Sequence, residues 1–207
     1  MDLQFYGANC VRITTKKATI VIDDTLSELG LKAITKPDDI NLFTRPKPDN
    51  ILGRLSIDSP GEYEVSDTSI QGIAARSHID ESDSQTTTIF KIIGEDIRVV
   101  VLGHAFPELN DIQLEALGTI DILILPVGGN GYTLDGVEAL KMIKKIEPKL
   151  VIPTHYADKT VKYEVPQSSL EDALKDLAME PKETVPKLKL KPSDIPLDMQ
   201  LIVLERQ

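Results

Sequence analysis

The stretch Ile120-Asp121-Ile122-Leu123-Ile124-Leu125-Pro126-Val127 constrains the fold of this chain more than any other. It is apolar at almost every position. A strand with one wet face alternates apolar and polar residues, so a continuous run predicts a strand buried on both faces. Helical patterns flank it. Asn110 to Leu117 reads as a helix, with Asn110 as N-cap and Gly118 as stop. Gly136 to Ile146 has helical spacing, with Val137, Leu140 and Ile143 on one side, Asp135 as cap and Pro148 just past the end. Leu150 to Ile152 is a further short strand. Ser168 to Leu177 is a third helix, with Leu170, Ala173 and Leu177 inward.

The first half is built differently. Asn9 to Asp23 reads as two short strands around Thr15-Lys16-Lys17, and Asp39 to Thr44 as another, ended by Pro46 and Pro48. Ser69 to Ala74, Thr86 to Ile92 and Asp96 to Leu102 are strands, the last two joined by a hairpin turn at Gly94-Glu95. The tail from Glu180 to Pro196 is rich in proline and lysine and ends in the strand-like Leu201 to Leu204. A β-rich half followed by strand–helix alternation predicts an α+β or α/β sandwich. With 207 residues and no dividing linker, one domain over 1–207 is expected.

Charge and cysteine content narrow the function classes. A net charge of −10 leaves no global basic footprint for a nucleic-acid backbone or an anionic membrane surface. No apolar run approaches the roughly 18 residues that span a bilayer. Met1-Asp2-Leu3-Gln4 has neither the basic region nor the apolar core of a signal peptide. The one cysteine, Cys10, cannot form an internal disulfide and reads as a small buried residue. A cytoplasmic location is expected.

Three segments carry a resemblance: Ser59-Pro60-Gly61-Glu62-Tyr63-Glu64-Val65, Asp121 to Gly129, and Val151-Ile152-Pro153-Thr154-His155-Tyr156. In this order and spacing the chain resembles the lactonase-like branch of the metallo-β-lactamase superfamily. Phe5-Tyr6-Gly7-Ala8-Asn9-Cys10, the strand ending at Asp23, and Val101-Leu102-Gly103-His104 also look like that branch. The resemblance covers nearly the whole chain. It implies a four-layer αββα sandwich with the site on loops at one rim.

The resemblance also implies two zinc or manganese ions on a His-x-His-x-Asp-His loop, where bound metal makes hydroxide available near neutral pH. Here that loop reads Arg45-Pro46-Lys47-Pro48-Asp49-Asn50. Arg45, Lys47 and Asn50 stand where histidines are expected, and only Asp49 is kept. His104 takes the place of the bridging aspartate, His155 matches the last ligand, and His78 lies near a pocket-histidine segment. These are the chain's three histidines. Together they would suffice for one tetrahedral zinc, or manganese or iron, with an open position. The other reading is a relic pocket that binds no metal, its histidines bonded to neighbours.

Arg45 and Lys47 either replace lost metal charge and receive an anionic group, or belong to a solvated loop. Asp49 serves as general base, ligand or turn residue. Asp23 is expected to orient ligands from behind. Gly128-Gly129-Asn130-Gly131 reads as a turn, and the acidic Asp80-Glu81-Ser82-Asp83-Ser84 as an exposed loop. Two functions follow. One is a metal-dependent hydrolase of esters, lactones or phosphoesters, with Asp49 as base and Arg45 or Lys47 holding an anionic substrate. The alternative is an inactive pseudoenzyme that binds a small anion or a protein. A nuclease is disfavoured by the acidic charge, and self-association into a homo-oligomer is implied by the resemblance alone.

Overall fold

The computed structural model describes residues 1–49, 51–81 and 84–207. Asn50, Ser82 and Asp83 lie outside the described residues, and with them part of the histidine-motif loop and of the acidic loop. Fourteen strands and three α-helices are formed among the rest. In chain order the strands are β1 (Asp2–Gly7), β2 (Cys10–Thr14), β3 (Thr19–Ile22), β4 (Ile40–Leu42), β5 (Leu55–Ile57), β6 (Gly61–Val65), β7 (Thr68–Ala75), β8 (Thr87–Gly94) and β9 (Ile97–Val101). Helix α1 (Asp111–Leu117) precedes β10 (Ile122–Pro126); α2 (Gly136–Ile146) precedes β11 (Leu150–Thr154). Helix α3 (Leu170–Leu177) is followed by β12 (Pro181–Val185), β13 (Leu188–Lys189) and β14 (Gln200–Leu204).

Two sheets result. The smaller has the order β13-β1-β2-β3-β4-β5 and the larger β12-β14-β11-β10-β9-β8-β7-β6. Strand β10 explains the arrangement. It lies between two parallel neighbours, β9 and β11, and all five of its residues are buried. Successive side chains point to opposite faces of a strand. Ile122 and Ile124 therefore enter the core between the sheets, while Leu123 and Leu125 enter the core beneath the helices. The one charged residue in the apolar run, Asp121, is nearly buried and receives the Arg98 guanidinium in a two-bond fork at 2.8 and 2.9 Å. A paired and hydrogen-bonded carboxylate is tolerated there; an unpaired one would not be.

The helices begin as the sequence indicates. Asn110 and Asp135 each form a reciprocal capping box, with Gln113 and Glu138 respectively. Ala139, Met142, Ile143 and Ile146 form the buried face of α2. Val137, read from the sequence as sharing a face with Leu140 and Ile143, is instead half exposed, because at about 100° per residue the buried line through Ala139, Met142, Ile143 and Ile146 leaves position 137 on its far side. The outer face of the smaller sheet carries Cys10 and Val21, which pack with Leu26, Leu31 and Ile34. That fourth layer is the turn-rich segment 24–39, with no helix in it. No helix among the described residues is long and apolar enough to cross a membrane.

Candidate active site

Several strand ends meet at one rim. Strand β3 leads to Asp23, β4 leads to Thr44-Arg45, β9 leads to Gly103-His104, and β11 leads to His155. In open sheets, ligand crevices form outside the carboxyl ends of strands. A cavity of about 360 Å³ opens here, lined by Asn9, Asp23, Arg45, His104, Tyr132, His155, Tyr163 and Gln167, among others.

His155 is 4% exposed. Its backbone has φ 52°, a conformation uncommon outside glycine and concentrated at functional sites. The conformation is held because His155 N–H donates to the Ala8 carbonyl at 2.8 Å. Its ring is fixed as well. Gln167 Nε2 donates to the Val165 carbonyl at 2.8 Å, so Gln167 Oε1 is left to accept from His155 Nδ1 at 3.0 Å. The proton therefore sits on Nδ1, and Nε2 keeps its lone pair.

His104 is fixed by the same logic through a different chain. Thr44 N–H and Oγ1–H both donate to Asp23, each at 2.7 Å. With its proton committed, Thr44 Oγ1 accepts from His104 Nδ1 at 3.2 Å. Nε2 of His104 again keeps a lone pair, and the nearest donor to it is Asn9 Nδ2 at 3.5 Å. Gly103 makes this possible: a Cβ there would overlap the Thr44 side chain. The two rings sit edge-to-face with centroids 5.8 Å apart.

Both imidazoles are neutral. Burial pushes His155 down to about 4; the Arg45 cation adds to this, and the Gln167 bond opposes it. Burial, then the neighbouring His155 and Arg45, hold His104 well below the usual imidazole range. Burial raises Asp23 to about 6, against the two Thr44 bonds that favour its charged form. Arg45 itself is tethered by Tyr132, whose hydroxyl accepts from Nη1 at 2.5 Å, with Cζ 5.3 Å from the ring centroid.

His104, His155 and Arg45 are therefore brought together, with Asp23 behind His104. The other three candidates stand apart. His78 is bonded to Glu138 at 3.2 Å, packs on Phe106, and does not line the cavity. Lys47 and Asp49 are exposed on the loop, outside the lining, although Pro46 and Pro48 belong to it. Thr44, Tyr132, Gln167 and Asn9 carry much of the geometry and were not singled out from the sequence. Tyr132 had a signal: it closes a Gly-Gly-Asn-Gly turn directly after the buried strand β10, at the sheet's carboxyl rim. The Gly128 part of that turn packs on Gln167 and the His155 carbonyl.

Residues 2–155 match the model of the beta-lactamase superfamily domain, and the chain belongs to that family. A protein of the metallo-beta-lactamase superfamily from Thermotoga maritima, described as a Zn-dependent hydrolase, is similar in structure. The two share 25% identity and a TM-score of 0.76 over 99% of each chain. A metallo hydrolase from Ignicoccus hospitalis shares the fold at 17% identity and a TM-score of 0.63, covering 92% of this chain and 99% of that one. A UPF0173 metal-dependent hydrolase from Carboxydothermus hydrogenoformans is 44% identical over 43 residues, 21% of this chain. That match spans 19% of the relative's length.

The family implies a metal, and the residues can be tested for it. A catalytic zinc has three protein ligands. The cavity offers two imidazole nitrogens; Asp23, Glu28 and Glu164 also line it, and a guanidinium, which has no lone pair to give, stands beside the imidazoles. Among the described residues no group of three His, Cys, Asp or Glu side chains converges. The donor set does not fit a three-ligand centre.

Proposed function

We propose that this chain is a hydrolase that acts on a small ester, lactone or phosphoester in the His104–His155 cavity. The names of the Thermotoga and Carboxydothermus proteins support hydrolysis as the reaction class. The observation that carries the reading is the pair of neutral imidazoles, each locked with its Nε2 lone pair toward one cavity. A water held at His104 Nε2 loses its proton to that nitrogen as its oxygen bonds to the substrate's carbonyl carbon or phosphorus. The resulting imidazolium keeps its Nδ1–H on Thr44, with the Asp23 carboxylate behind it. Arg45 holds an anionic group of the substrate beside the reacting bond. His104 then returns the proton to the leaving oxygen.

The test is a panel of nitrophenyl acetate, nitrophenyl phosphodiester and simple lactones, run with and without EDTA. Turnover by the wild type is expected to survive EDTA and to fall about 100-fold or more in His104→Ala. Equal turnover in His104→Ala, or none in the wild type, contradicts the hydrolase reading. A second reading, a binding module without chemistry, is favoured by the weak basicity of the two imidazoles. It predicts a melting temperature raised by ligand with no product formed.

A further inference from the structure

We infer that the ligand of this cavity is a small monocarboxylate, seated with its carboxylate on Arg45. The argument begins with what Arg45 lacks. Among the described residues no carboxylate lies within 4 Å of it. Its hydrogen bond to a protein group is the one to Tyr132. A guanidinium has five N–H donors in a planar fork that matches a carboxylate. One donor is used to aim the group, and the remaining face is open to the cavity that His104 and His155 line.

Pro46 and Pro48 fix φ on either side of Lys47, and Tyr132 holds the guanidinium from the far side. Ordering costs on binding are correspondingly small. The charge around the cavity sets the ligand's valence. Arg45 and Lys162 line it, but so do Asp23, Glu28 and Glu164. A phosphate dianion would meet three carboxylates with two cations to hold it. A monocarboxylate meets the same lining with half the charge, and one guanidinium fork suffices to hold it. Phe43, Leu29 and Tyr163 in the lining offer an apolar wall for the rest of a small acid. The cation also depresses both imidazoles, so a bound carboxylate would offset that field and make His104 a stronger base.

This inference names the substrate class of the proposed reaction site and, for its link to turnover, rests on that reading. Binding is measured on the full chain by NMR titration with benzoate, its neutral isostere benzamide, and inorganic phosphate. Benzoate is expected to bind at least tenfold more tightly than benzamide or phosphate. Arg45→Met is expected to weaken benzoate at least tenfold and leave benzamide unchanged, with Arg45→Lys in between because it keeps charge but loses the fork. Benzamide matching benzoate in the wild type, phosphate binding more tightly than benzoate, or Arg45→Met binding benzoate as the wild type does, each overturns it. The two proposals fail separately. Benzoate binding that needs Arg45, with no ester hydrolysed, removes the hydrolase reading and supports this one. Turnover that needs His104, with carboxylate-bearing and uncharged esters used equally, removes this one alone.

Discussion

Gly128→Ala should destabilise the chain by about 3 kcal/mol, at the upper end of what overpacking costs, and displace His155. A methyl group at position 128 would overlap the Gln167 amide oxygen and the His155 carbonyl. The carbonyl belongs to backbone and cannot rotate away. It is fixed on one side by the His155 N–H bond to Ala8, and the facing strand end is fixed by the Ser168 N–H bond to the Gly128 carbonyl at 2.8 Å. Gln167 can move, but only by releasing His155 Nδ1. For a chain of this length the loss corresponds to a melting temperature lower by roughly 6–12 °C. Thermal unfolding followed by circular dichroism measures it. An unchanged midpoint would show that the close approach of the 128 turn to His155 is wrong.

Asp23→Asn should leave the fold intact and invert the proton on His104. In the wild type Thr44 gives its hydroxyl proton to Asp23 and accepts from His104. An asparagine amide in the same place donates to Thr44 Oγ1. Thr44 is then released to donate to His104 Nδ1, which favours the imidazole proton on Nε2 and takes the lone pair from the cavity. Asparagine also tolerates the φ of 48° at this position. Turnover is expected to fall about 100-fold or more, and a wild-type rate in the variant would sink the proton-relay assignment.

The same variant changes the dependence of stability on pH. Asp23 has its folded pKa raised from 3.8 to about 6. Its contribution is full below the unfolded value and is lost as pH rises through about 6. His155 has its folded pKa lowered from 6.5 to about 4. The unfolded chain binds the extra proton between those values, so this group makes stability rise as pH climbs from about 4 to 6.5. Each of these two shifts corresponds to about 3 kcal/mol, and they oppose each other over the same range, while His104, also held low by burial, adds a second rising arm. Asp23→Asn removes the falling arm. Its stability should climb more steeply than that of the wild type, by about 3 kcal/mol more between pH 4 and 6, read as a steeper rise in the urea midpoint. Parallel midpoint curves for the two proteins would contradict the buried charges assigned here.

Much of the fold was legible because it is written in local patterns. The run 120–127 is a strand buried on both faces, and the capping residues Asn110 and Asp135 open helices where their spacing indicates. Strands β1, β5, β6, β12 and β13 were not read as strands, although β1 alternates buried and half-buried positions. Gly61–Val65 and Pro181–Val185 lie at the two ends of the larger sheet, are polar, and bury little. Edge strands of that kind have weak patterning and accept proline at their start. At the site, His104, His155 and Arg45 were legible as residues that end strands at one rim. Their partners were not. Thr44 reaches His104 across 60 positions, and Arg45 reaches Tyr132 across 87. Contacts of that range are made by the sandwich closing, and no local pattern announces them. His78 shows the converse: the family resemblance placed it near a pocket-histidine segment, while α2 offers it Glu138 instead.

At the centre of the site two neutral imidazoles hold Nδ1–H and present bare Nε2 to one cavity. Long-range ¹H–¹⁵N correlation spectra of histidine-labelled protein read both protonation and tautomer. The predicted spectra at pH 7 show the Nδ1–H tautomer for His104 and His155, with His155 titrating near pH 4 and His104 staying neutral through the range where free imidazole charges. The Nε2–H tautomer at either residue, or titration of both near pH 6.5, would contradict the site described here.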